Sequence, residues 1–149
     1  MQKNSWVHYA AKCMVDIMLY TGIVCVAALM VLTVVLSCFK RLNGEEIVFL
    51  LILTVSGALA VYILHVLKRM FRTLLSGNPF VSENVSCFRR IAVASAAIAL
   101  VYLVKCVVLF SIETLVIAVI FAIACLFCLT LKDVFKQAVS YKEENDLTI

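Results

Sequence analysis

Asp16 and Lys105 are charged side chains set within or at the edge of long apolar stretches of this 149-residue chain. A charge surrounded by hydrocarbon persists only with a partner or a task, so each is a candidate ion, proton or ligand site. Asp16 stands at the start of the first stretch, where it can act as a coupling acid, sit at headgroup level, or pair with Arg89 or Arg90. Lys105 follows Arg90 by 15 residues, roughly 22 Å at the helical rise. That spacing puts it near the opposite surface, its amine turned outward towards Glu113. The two residues lie at opposite depths and are not expected to pair with each other.

The seven cysteines offer less. Cys125-x-x-Cys128 has the spacing of a thiol–disulfide relay, yet a relay needs a second exposed pair, and only Cys38 and Cys106 lie towards the outer surface. Thiolates are disfavoured inside an apolar helix, where cysteine behaves as a small hydrophobe. His8 and His65 fall in separate segments without metal-ligand spacing. No phosphate loop, nucleophile–base pair or carboxylate pair is present. The chain is expected to be non-enzymatic, without cofactor or metal.

The elements that position these residues follow from composition. Hydrophobic residues make up 65% and charged residues 15%, against roughly 45–50% and about 25% in soluble domains. Residues 17–39, 47–67 and 114–131 carry no charge, and 91–112 carries only Lys105. Each gap is close to the roughly 20 residues that cross a hydrocarbon core. They are apolar on all sides, as buried or membrane helices are. The expected fold is an all-α integral membrane protein, a single domain over 1–149 with transmembrane spans at 14–39, 47–67, 91–112 and 114–131. A central segment, 68–90, and a tail, 132–149, complete it. The first run is about twice as long as a signal-peptide core and no A-x-A site follows it, so it is a span. Val35-Leu36-Ser37-Cys38 only faintly resembles a lipoprotein cleavage box.

Charge orients the spans. The central segment carries Lys68, Arg69, Arg72, Arg89 and Arg90 against Glu83 alone, whereas Lys40 and Arg41 are balanced by Glu45 and Glu46. Lysine and arginine concentrate on the cytoplasmic side. This places the central segment, and with four spans both termini, in the cytoplasm of a multi-pass cell-membrane protein. The net charge of +4 is thereby a topology signal, and no direct nucleic-acid binding is expected. Asn84-Val85-Ser86, a glycosylation pattern, falls on this side and is set aside.

Residues 67–76 and 131–140 share Leu, Lys, Phe and Ser at matching places, with a basic residue after each Phe. At helical periodicity each segment has an apolar arc opposite a polar one, so helices 2 and 4 are expected to extend into the cytoplasm as amphipathic helices. The repetition fits two tandem hairpins. It equally fits basic stretches that look alike wherever helices leave a membrane. Between the copies, Gly77 is suited to end helix 2 and Pro79 cannot continue it. Ser82 is expected to cap helix 3, with Glu83 in its first turn.

The block Gly77, Asn78, Pro79, Phe80, Asn84, Arg89 or Arg90, and Ile91, with the ending Glu144-Asn145-Asp146-Leu147-Thr148-Ile149, resembles the YoaS-like bacterial four-span membrane proteins, domain of unknown function 2975. The resemblance covers nearly the whole chain in span number and spacing. It implies a membrane partner for a small Cro/C1-type helix-turn-helix regulator, whose gene often neighbours those of the family. The expected function is a non-enzymatic regulatory protein whose partner-binding residues are Lys68, Arg69, Arg72, Asn78, Pro79, Phe80, Asn84, Arg89 and Arg90. The alternative is a small transporter or resistance/immunity protein that uses Asp16. Gly57 and the small residues between Ala92 and Ala99 permit close helix packing, either within one bundle or in a homodimer.

Overall fold

A computed structural model describes residues 5–39, 43–75 and 81–147. They form four helices: α1 (Ser5–Phe39), α2 (Gly44–Leu75), α3 (Ser82–Val108) and α4 (Ile112–Leu147). All four are long and apolar enough to cross a membrane, and there is no strand among the described residues. Helix is the outcome that hydrocarbon imposes, because it pairs every backbone N–H and C=O within the segment. Side-chain hydroxyls in the spans obey the same rule. Thr33, Thr54 and Thr130 each donate to the carbonyl four residues back, at 2.7, 2.8 and 3.0 Å.

The helix ends have local causes. Asn43 precedes α2, and its backbone N–H donates to Glu46 Oε2 at 3.3 Å while its carbonyl accepts from the Glu46 and Ile47 N–H groups. That is half of a capping box, with the acid at the third helical position. At α3 the expected Ser82 cap is corrected. Val81 holds the cap position in an extended conformation, no side chain caps the helix, and Ser82 is already helical. Glu83 lies in the first turn of α3, as expected, and forms an ion pair with Arg69. Span 3, expected to reach residue 112, ends at Val108. Leu109 turns extended, its N–H bonded to Lys105 O at 2.8 Å, and α4 begins at Ile112. Helices α2 and α4 run on past their apolar windows without a break, to Leu75 and Leu147.

Among the described residues, backbones approach closely between α1 and α2, α2 and α3, and α3 and α4. The helices therefore follow one another in chain order, in a row curved so that residues of all four line one cavity of about 400 Å³. The core lies along α3, where Cys87, Phe88, Ile91, Ala92, Ser95, Ile98, Ala99 and Tyr102 are buried. One cluster joins Ile98 and Tyr102 to Ala118 of α4, with Ile52, Leu59 and Ile63 of α2 packed against it. Small residues set the spacing. A methyl group added at Gly22 would lie 3.1 Å from Val61, and one at Gly57 would lie 3.1 Å from Val26. Gly57 and most of the alanine-rich face of α3 are thus used within the chain. A buried contact of 3.2 Å between the Ser56 and Tyr102 hydroxyls ties α2 to α3. Many large apolar side chains point outward, Val24, Val107 and Leu126 among them. Such a surface suits lipid and would aggregate in water.

Candidate functional site

One end of the row collects charge. His65, Lys68, Arg69 and Arg72 of α2 are three, four and seven residues apart, the spacing that puts side chains on one helix face. The first half of α1 and the start of α3 flank that face. Lys68 Nζ lies 2.9 Å from Asp16 Oδ1 and 5.5 Å from the centre of the Tyr20 ring, one helical turn further along α1. Asp16 Oδ1 is sealed from solvent and accepts no well-aligned hydrogen bond, so the ammonium meets it as an ion pair. Arg69 Nε donates to Glu83 Oε1. His65, Lys68, Arg69, Arg72, Thr73 and Glu83 line a cavity of about 520 Å³. With three cations and one carboxylate on its wall, this cavity carries a positive charge near neutral pH and suits an anionic group.

Behind it, Asn84 is fully buried. Its Oδ1 and the Met70 carbonyl share the Thr73 hydroxyl proton, at 2.6 and 2.7 Å. Asn84 therefore pins the end of α2 to the start of α3. Arg89 and Arg90 are exposed on a different face. They line a second cavity of about 470 Å³ with Leu59, Tyr62 and Ser86. The five cations of the central segment thus divide between two hollows. Asn78, Pro79 and Phe80 lie outside the described residues, as does Gly77. Phe88 packs on Phe135 with ring centres 4.9 Å apart, which holds the end of α4 beside the start of α3.

Asp16 is paired across α1 and α2 with Lys68, and not with Arg89 or Arg90 of α3, which the sequence offered as one alternative. The reason is packing, since α1 docks on α2 and Lys68 faces it. At the other end of the row, Lys105 meets a ring instead of Glu113. Its Nζ sits 4.6 Å from the centre of the Phe49 ring. Tyr20, Thr73, Phe49 and Glu83's partner Arg69 are contacts that residue types and spacing within one helix do not disclose. Among the described residues no three His, Cys, Asp or Glu side chains are grouped as metal ligands. Cys87 and Cys106 are buried, and Cys125 and Cys128 half-buried, all as free thiols. Cys128 packs against the cluster of Val66, Cys87 and Ile91, in the setting of a small apolar residue.

Four apolar helices with a lipid-suited surface and charge gathered at one end define a multi-pass α-helical membrane protein. Residues 39–149 match the model of a family described as "Protein of unknown function (DUF2975)", and the chain belongs to that family. The match takes in α2, α3 and α4, whereas Asp16 and nearly all of α1 precede it. It is narrower than the near-complete resemblance read from the sequence. No curated protein and no solved structure matches the chain.

Proposed function

We propose that this protein is a non-enzymatic regulatory protein of the bacterial cytoplasmic membrane that holds a soluble partner against its charged end. Lysine and arginine bias orients that end, with both termini, towards the cytoplasm. The partner is a small helix-turn-helix regulator of the Cro/C1 type, which presents acidic side chains to the cationic face of α2. The observation that carries this reading is the 520 Å³ hollow walled by Lys68, Arg69 and Arg72 of α2 and by Glu83 in the first turn of α3. Charge complementarity across such a surface sets partner choice and on-rate more than raw affinity.

A photo-crosslinking residue at Arg72 in native membranes is expected to capture a small DNA-binding protein. Arg69→Gln with Arg72→Gln is expected to lower that capture by about tenfold while the fold stays intact. Capture of lipid alone, or of another copy of this chain, would overturn the reading.

The alternative, a small transporter coupled through Asp16, has one observation behind it: a carboxylate oxygen sealed from solvent beside Lys68. Transporter sites usually lie near the bilayer midplane, and Asp16 stands just before the first charge-free stretch, 17–39, instead of within it. In reconstituted vesicles, Asp16→Asn is expected to leave proton-coupled flux unchanged. Loss of such flux in this variant would reverse the order of the two readings.

A further inference from the structure

We propose that the end of the protein opposite the charged cluster binds one phospholipid with a zwitterionic, primary-ammonium headgroup, whose phosphate meets Lys105, whose ammonium meets Glu45 and Glu46, and whose acyl chain follows the seam between α2 and α3. Lys105 is half-buried near the end of α3. Its Nζ stands over the Phe49 ring, and no carboxylate lies within ion-pair distance of it among the described residues. A ring face offsets only part of the cost of a cation at membrane depth. An anion is the missing partner.

The surroundings specify which anion. Two cavities meet at Lys105 and share Val48 and Leu109. The first, about 500 Å³, is lined also by Leu36, Phe49 and the carboxylates Glu45 and Glu46. The second, about 310 Å³, continues along Ile52, Leu100, Val101 and Val104 and has no charged group besides Lys105.

Along α2, Glu45 and Glu46 come first, Phe49 with Lys105 beside it about one turn deeper, and Ile52 about one turn deeper again. On antiparallel α3, Val104 and Val101 follow Lys105 in the same direction. From the helix ends inward the order is therefore negative, positive, apolar. A phospholipid bearing a terminal ammonium has the complementary order of ammonium, phosphate and acyl chain.

The order discriminates between lipids. A glycerol headgroup would satisfy Lys105 with its phosphate but bring no cation to the two glutamates. A choline headgroup brings a cation with no N–H to donate. The ammonium of ethanolamine supplies both charge and donors. Glu46 is held in place for this by its Oε2 contact with the Asn43 N–H, which leaves Oε1 for a ligand. The apolar second cavity selects a lipid over the free headgroup, because phosphoethanolamine alone would leave it unfilled.

The test uses the full chain, purified in mild detergent and titrated with phosphatidylethanolamine, phosphatidylglycerol and phosphatidylcholine of one acyl composition, with bound lipid read by native mass spectrometry. The expected result is one phosphatidylethanolamine per chain, favoured about tenfold over the other two. Lys105→Gln is expected to abolish that retention, and Lys105→Arg to keep it. Glu45→Gln with Glu46→Gln is expected to raise phosphatidylglycerol to parity. Val101→Phe, which fills the second cavity, is expected to weaken all three. Equal retention of the three lipids by the unmodified chain would overturn the proposal whatever the variants do. Binding of free phosphoethanolamine as tightly as the lipid would overturn the acyl assignment.

Discussion

Phe88→Ala is expected to lower the unfolding free energy by about 2–4 kcal/mol, the largest loss from any single truncation near the charged end. Phe88 is only 5% exposed, and its ring packs at 53° on Phe135, with centres 4.9 Å apart. Removing it forfeits this aromatic pair, worth about 0.5–1.5 kcal/mol, and leaves a cavity between α3 and α4. In water-soluble cores the same truncation costs about 3–5 kcal/mol. Here the medium outside much of the protein is itself apolar, so the transfer contribution shrinks, while the lost dispersion contacts remain. Reversible unfolding in bicelles or mixed micelles measures the change. Phe127→Ala is the control, since Phe127 is 62% exposed towards lipid and its truncation is expected to cost under about 0.5 kcal/mol. Equal losses from the two variants would mean that Phe88 is not packed between α3 and α4.

Gly22→Leu is expected to detach α1 from the rest of the protein. An added methyl at Gly22 already meets Val61 at 3.1 Å, so alanine requires a small adjustment and leucine requires the two helices to separate. Overpacking of this kind costs about 1–3 kcal/mol. The structural consequence exceeds that figure because, among the described residues, α1 makes its close backbone approach to α2 alone. The Asp16–Lys68 pair reports on docking. Its 2.9 Å separation is within reach of a carbodiimide, which joins a carboxylate to an amine with no spacer. The 16–68 crosslink, read by mass spectrometry, is expected to fall by about tenfold in Gly22→Leu. It is expected to survive in Gly22→Ala and in Val24→Leu, where Val24 faces outward. Undiminished crosslinking in Gly22→Leu would show that α1 does not depend on this approach.

Much of the architecture was legible before any contact was known. Three charge-free gaps and a fourth interrupted only by Lys105 correspond to the four apolar helices, because a span disfavours charge along its length and so marks itself in the chain. The break between α1 and α2 was legible too. Asn43-Gly44-Glu45-Glu46 is a cap residue with an acid three places on, a signal the charge balance of that hairpin had obscured. Ser82 misled, because a good capping residue does not cap when the chain enters the helix one residue earlier, at Val81. The end of α3 at Val108 was hidden for a different reason. Leu109, Phe110 and Ser111 have no glycine or proline among them, and the turn follows from where α4 begins.

The candidate sites divide in the same way. That Asp16 and Lys105 need partners is a property of charge in hydrocarbon, and their separation in depth follows from the helical rise alone. Which groups answer them is decided by the row of helices. Lys68 meets Asp16 because α1 lies on α2, and Phe49 meets Lys105 because the first turns of α2 lie beside the last turns of α3.

By itself, the sequence determined the number of spans, the break between the first two and the gathering of charge at one end, since each depends on residues within a few turns of one another. Only the tertiary structure decided which helices are neighbours, and with that the separation of Arg89 and Arg90 from the Lys68–Arg72 face and the burial of Asn84. The physical reason is that apolar helices are alike to a lipid. Their order is selected by close approach at small residues such as Gly22, Gly57 and Ala118 and by a few polar contacts, which act between residues far apart in the chain.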